Sequence, residues 1–245
     1  MRKLIISTLF LLLISSTASA APLLGDTFES GNLDSWTIGG RQLGTANVAD
    51  VVTTSNGTLG GHLYHAGATE INLSKDFFYD ANINFIFDLE VDTWSDPTPT
   101  QNYYARSGVY FDFRDADYNR LGVVWYLSAT TDYIFDILQG SPTWSLNKIA
   151  ENTMHHFDLS VTDILSQIDI DYSQIDKVLM VGEAYGSINY PPSVYAHLWL
   201  DDVCVDNDGH GCHGITHAPE PSTYLLLGSG MLGLAYWRRR KKLKG

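Results

Sequence analysis

Ile83-Asn84-Phe85-Ile86-Phe87-Asp88-Leu89-Glu90-Val91-Asp92-Thr93 alternates with period two. Successive side chains of an extended chain point to opposite faces. Ile83, Phe85, Phe87, Leu89, Val91 and Thr93 therefore share one face, while Asn84, Asp88, Glu90 and Asp92 share the other. This is a strand with one wet face. Working outward, Val109, Phe111 and Phe113 alternate with Tyr110, Asp112 and Arg114. Leu121, Val123, Trp125 and Leu127 follow after the polar stretch 114–120, so the two runs read as a hairpin. Further strands are expected at Val48 to Thr54, His62 to His65, Glu70 to Leu73, Tyr133 to Leu138, His156 to Val161, Lys177 to Glu183 and Ala196 to Val205. Thr162-Asp163 is placed to cap one short helix through Ile168. Many short strands divided by Gly, Asn, Asp and Pro turns predict an all-β fold, an antiparallel two-sheet β-sandwich, in one domain.

Both ends of the chain stand apart from this pattern. Met1-Arg2-Lys3, the apolar run Leu4 to Ile14 and Ala18-Ser19-Ala20 have the order of a secretory signal peptide over residues 1–20. At the other end Pro219-Glu220-Pro221 precedes an apolar run from Tyr224 to Trp237 and the cluster Arg238-Arg239-Arg240-Lys241-Lys242. As a helix that run rises about 21 Å, against a hydrocarbon core of roughly 30 Å, so it reads as a short membrane helix over 224–237. The cations hold its end in the cytoplasm and leave everything upstream outside. The sandwich domain is then expected over 21–208, a His/Gly-rich stem over 209–218 and the terminal signal over 219–245.

The terminal order resembles the PEP-CTERM sorting signal of exopolysaccharide-producing Gram-negative bacteria. That resemblance implies an exosortase partner that recognises Pro219, Glu220 and Pro221. It also implies anchoring in the inner membrane before processing, with Arg238, Arg239 and Arg240 as the stop, and a final place on the cell surface or in the extracellular matrix. Without the two signals the body keeps seven basic residues against 27 acidic ones, a balance of −20. Such a surface repels nucleic acid and invites divalent cations.

Gly25-Asp26-Thr27-Phe28-Glu29-Ser30-Gly31 near the mature start and Leu198-Trp199-Leu200-Asp201-Asp202-Val203-Cys204-Val205 near the end resemble the opening and closing strands of jelly-roll carbohydrate-binding modules. In those modules the two strands pair and often hold a structural calcium. The resemblance thus implies a jelly roll with Asp26, Glu29, Asp201 and Asp202 as calcium ligands; a turn and a solvated strand end are the competing reading. Asp115, Asp117 and Asn119 have a calcium-loop-like spacing but lack the Gly and the distant Glu, which favours a plain hairpin turn. Cys204 and Cys212, the only cysteines, are expected to form a disulfide in an oxidising compartment. A zinc site with His210, His213 and His217 is the alternative.

Glu90-Val91-Asp92 echoes the Glu-x-Asp core of laminarinase-like glycoside hydrolases, but the further Glu of that pattern is missing. Exposed aromatics that stack on sugar rings are the remaining clue. Trp94, Tyr103 and Tyr104 are the candidates, whereas Trp125 and Trp199 are expected in the core. The sequence therefore predicts an exported, non-catalytic sandwich that binds or sits among extracellular polysaccharide. A glycan-active enzyme of the same architecture and a structural or adhesive protein without small ligand are the alternatives.

Overall fold

The computed structural model describes residues 23–40, 46–66, 68–95, 104–131, 142–187 and 194–207. The signal peptide, Tyr103, the strand expected at Tyr133 to Leu138, Cys212, the stem and the terminal signal lie outside them. The chain divides into two units, 1–213 and 214–245, a boundary that falls within the expected stem. Among the described residues no helix is long and apolar enough to cross a membrane.

Twelve strands are described: β1 (Leu24–Asp26), β2 (Thr37–Gly39), β3 (Ala46–Thr53), β4 (Leu59–Ala66), β5 (Ala68–Phe78), β6 (Asn84–Ser95), β7 (Ala105–Arg114), β8 (Arg120–Ala129), β9 (Trp144–Lys148), β10 (His155–Ser160), β11 (Lys177–Ser187) and β12 (Val194–Asp206). They form two sheets. Sheet A runs β10-β6-β12-β4-β3, with β1 also on β12; sheet B runs β2-β5-β11-β7-β8-β9. β4 pairs with Tyr195 to Leu200 of β12 and β1 with Val203 to Val205, so the opening and closing strands do meet. Asp202 takes a positive φ of 47° at the bulge between those two stretches.

The core lies between the sheets and takes the apolar face of each strand. Phe85, Phe87, Leu89 and Val91 of β6 are fully buried, as are Leu198 and Leu200 of β12. Phe85 of sheet A meets Phe111 of sheet B with ring centroids 4.7 Å apart, and Phe77 of sheet B meets Phe85 at 5.9 Å. Phe28, after β1, plugs one end: a Cβ added at Gly61 would meet its ring at 2.7 Å, so the close approach needs glycine there.

The expectation of two sheets holds, with three corrections. First, β9 pairs parallel with β8, so sheet B is mixed. Second, the short helix α1 spans Val161–Leu165 and is capped by Ser160, whose Oγ accepts from the Asp163 amide. Thr162 sits inside the first turn instead. Third, neither Trp125 nor Trp199 is in the core between the sheets. Trp125 belongs to a separate cluster with Val123 and Leu127 on the far side of sheet B. Trp199 is half-buried on the far side of sheet A, its neighbours Leu198 and Leu200 facing inward.

Candidate functional site

Strand alternation puts Tyr195, His197 and Trp199 of β12 on the outer face of sheet A. In register beside them stand His62 and Tyr64 of β4 and Glu90, Asp92 and Trp94 of β6. Their rings make a continuous surface. Trp94 stacks on Tyr195 at 5.5 Å and 14°, Tyr195 meets His197 edge-on at 5.4 Å, and His197 lies parallel to Trp199 at 5.1 Å and 4°. Tyr64 packs on His197 at 4.5 Å, and His62 stacks on Trp199 at 5.2 Å. Trp94 stays 41% exposed, which leaves the ring face away from Tyr195 open to a ligand.

The two imidazoles are tied into a chain. His62 Nδ1 bonds Asp50 Oδ1 at 2.9 Å, and His62 Nε2 and His197 Nδ1 share a proton at 3.1 Å. Burial and the neighbouring His62 push the His197 pKa down, with Asp92 opposing. At the rim His156 Nδ1 bonds Asp88 Oδ1 at 2.6 Å, and the Ser55 hydroxyl donates to Glu90. Beyond Trp94 the face opens into a cleft of about 480 Å3 lined by Thr93, Trp94, Ser128, Lys148 and Glu151. There Ser128 Oγ donates to Glu151 at 2.8 Å, as does the Thr93 hydroxyl. This wall of hydroxyls and one carboxylate beside a half-exposed indole can stack a sugar ring and bond its hydroxyls.

The outer face of sheet B is built differently. Arg106 Nε donates to Glu183 at 2.8 Å, and its guanidinium lies 4.4 Å from the Tyr185 ring and 5.0 Å from Trp125. Tyr110 packs on Trp125 at 4.0 Å. Asp112 is buried between Arg114 and Arg120, each with a nitrogen at 2.8 Å. Here the aromatic surface is filled by the protein's own cations.

The predicted residues divide accordingly. Trp94 is on the sheet A face, but Tyr104 stacks on Tyr185 at 5.5 Å and so belongs with sheet B; burial pushes its pKa up. Tyr195, His197, Tyr64 and His62 were missed; Tyr-x-His-x-Trp at 195–199 and His-x-Tyr at 62–64 carry a period-two signal that puts each set on one strand face but does not say that the two strands are neighbours. Glu90 and Asp92 share the outer face of β6, where Glu90 is buried and Asp92 half-buried.

The calcium ligands do not assemble as expected, although β1 and β12 pair. Asp26 accepts from the Phe28 amide and the Trp36 indole, both at 2.9 Å. Asp201 accepts from the Thr58 hydroxyl and the Asp202 amide, and Glu29 Oε1 from the Leu59 amide at 3.4 Å. Among the described residues no three His, Cys, Asp or Glu side chains gather in a way that would hold a metal. Asp26, Glu29 and Asp201 are instead held by these local amides, indole and hydroxyl. Asp115 likewise closes its own turn, accepting from the amides of Asp117 and Asn119. Cys204 is buried and is not a free thiol; Cys212 lies outside the described residues.

Fold and face together define a two-sheet β protein with an aromatic, acidic exterior on one sheet. Residues 217–241 match the PEP-CTERM protein-sorting motif. No curated protein sequence matches the chain. Among solved structures it is similar to carbohydrate-binding modules of the β-sandwich superfamily, with TM-score 0.41 and 11% identity over 76% of this chain and 63% of that one. It is also similar to the family 11 carbohydrate-binding module of Clostridium thermocellum in complex with a mixed-linked tetrasaccharide, with TM-score 0.40 and 12% identity over 77% of this chain and 98% of that one. A third similar structure is the enzymatically active domain of bacteriophage CBA120 tailspike protein 4, with TM-score 0.40 and 11% identity over 74% of this chain and 20% of that one. The chain spans less than two thirds of the first and third of these. Likenesses of this size do not extend to ligand or activity.

Proposed function

We propose that the protein is an exported, non-catalytic β-sandwich that binds polysaccharide of the cell envelope or matrix through the outer face of sheet A. The sorting motif supports export and exosortase processing. The observation that carries the binding reading is the run of rings from Trp94 through Tyr195 and His197 to Trp199, with Trp94 open to solvent. Sugars present apolar C–H faces that stack on such rings, and the hydroxyls and carboxylates of the adjoining cleft serve the sugar's polar edge.

A glycan array on the full chain in detergent tests it, with Tyr195→Ala as the comparison. The expected result is glycan binding by the parent and its loss in the variant, since removing Tyr195 leaves Trp94 without its stacking partner. An array blank for the parent would overturn the binding reading. Turnover of a bound glycan that disappears with Glu90→Gln would instead establish the glycan-active alternative. Intact residues 238–244 on the extracellular protein, found by mass spectrometry, would overturn the sorting reading.

A further inference from the structure

The described strands of sheet A contain no lysine or arginine, while the described strands of sheet B contain six: Lys75, Arg106, Arg114, Arg120, Lys148 and Lys177. Sheet A instead displays Asp50, Asp88, Glu90, Asp92 and Asp158 at outward positions among its rings. Most of these are already engaged: Asp50 by His62, Asp88 by His156 and Glu90 by Ser55. Asp92 and Asp158 have no such partner among the described residues, and of the two Asp158 is exposed. Asp92 is half-buried opposite His197 in the register and next to Trp94 along its own strand. Burial raises the Tyr195 pKa and the Asp92 charge adds to it, while at His197 Asp92 opposes the drop caused by burial and His62.

A half-buried carboxylate with no protein donor is left to water, which an incoming cation can replace. Trp94 and Tyr195 stand beside Asp92 on the same sheet face, and an aromatic ring attracts a cation over its face. Glu151 in the adjoining cleft adds negative charge near Tyr195. Lys148, on the sheet B wall of that cleft, is the cation lining it.

We propose that the glycan taken by this face carries protonated amines, with one ammonium group set against Asp92 beside the stacked pair of Trp94 and Tyr195. This rests on the polysaccharide-binding reading and narrows it to amine-bearing sugars. A free amino sugar supplies both partners at once: a C–H face for the rings and a cation for Asp92. Neutral or acetylated sugars supply only the first, and uronates would place like charge against Asp92.

Calorimetric titration of the full chain with the glucosamine hexamer, the N-acetylglucosamine hexamer and the glucose hexamer decides it, with a lysine hexapeptide as the non-sugar cation. The glucosamine hexamer is expected to bind about tenfold tighter than the other two sugars. Asp92→Asn, which keeps the shape and removes the charge, is expected to bring the three within about twofold. Equal affinity for the three hexamers in the parent would overturn the amine assignment while leaving glycan binding intact. Equal binding by the lysine peptide would overturn its restriction to sugars. Failure of every hexamer would overturn this inference, and the array alone decides the reading beneath it.

Discussion

The two sheets bury the same kind of inner face and solve their outer faces in opposite ways. Strands of sheet A carry nine acidic residues and no lysine or arginine, whereas those of sheet B carry four acidic residues and six basic ones. All five histidines of the described strands, His62, His65, His155, His156 and His197, are on sheet A. Sheet B completes its aromatic face internally, with Arg106 between Tyr185 and Trp125 and bonded to Glu183. Sheet A leaves Trp94 exposed and Asp92 without a protein partner, although Asp50, Asp88 and Glu90 are held by His62, His156 and Ser55. The proposed function places binding on the sheet whose face is less completely matched from within.

The largest expected effect breaks sheet B. The side chains of Arg106 and Glu183 are only 17% and 4% exposed, so Arg106→Met should cost about 3–5 kcal/mol by stranding a buried carboxylate. Arg106→Met with Glu183→Met should recover most of that loss, because the penalty lies in the lone charge. Urea unfolding measures both. A mild single variant would show that the pair is solvated and that the contrast between the faces is weaker than drawn.

Next comes the last strand of sheet A. Thiol titration of denatured, exported protein should find no free cysteine, with Cys204 joined to Cys212. Removing both by Cys204→Ala and Cys212→Ala should cost about 2–3 kcal/mol by loop-closure reasoning. Two titratable thiols would contradict the pairing.

The third expectation is that pH acts through sheet A. Burial raises the Asp201 pKa to about 6, so its cost to the fold is complete above that value and fades as pH falls toward the ordinary carboxylate range. His197 works the other way. Its pKa is lowered in the fold, so stability is lost as pH falls below the ordinary imidazole value. Asp201→Asn should therefore gain about 1–2 kcal/mol above pH 6 and nothing once the carboxyl is protonated. His197→Gln should flatten the loss on acidification. Denaturant midpoints across that range provide the check, and a gain from Asp201→Asn that persists in acid would contradict the assignment.

The smallest effect concerns calcium. Since Asp26 and Asp201 already accept two hydrogen bonds each, exchanging sodium for calcium at equal ionic strength should move the melting midpoint by no more than about 1 °C. A shift of several degrees that Asp202→Asn abolishes would restore the terminal-strand site.

Much of the fold was legible because β6 has only one apolar face. Its alternation from Ile83 to Thr93 fixes which side is buried, and the structure follows it except at Glu90, which is buried on the outer face. In β8 the same rule misleads. Val123, Trp125 and Leu127 are apolar, but so are Val124 and Tyr126, and the core takes the second set. Period two separates faces without saying which of two apolar ones is inside. β9 was missed because Trp144–Lys148 is short and pairs in parallel with β8, a partnership that no local turn announces. Of the binding face, Trp94 was legible as a loop-side aromatic. The histidines were not, because their meaning depends on β4 and β12 being neighbours.

The proposed function requires sheet A to be the face that meets polysaccharide. Hydrogen–deuterium exchange of the full chain, with and without a saturating glycan from the array, tests this directly. Slowed exchange in β4, β6 and β12 around His62–Tyr64, Asp92–Trp94 and Tyr195–Trp199, with β7 and β11 unchanged, is the predicted result. Protection concentrated around Arg106, Tyr110 and Tyr185 would contradict it and move the site to sheet B.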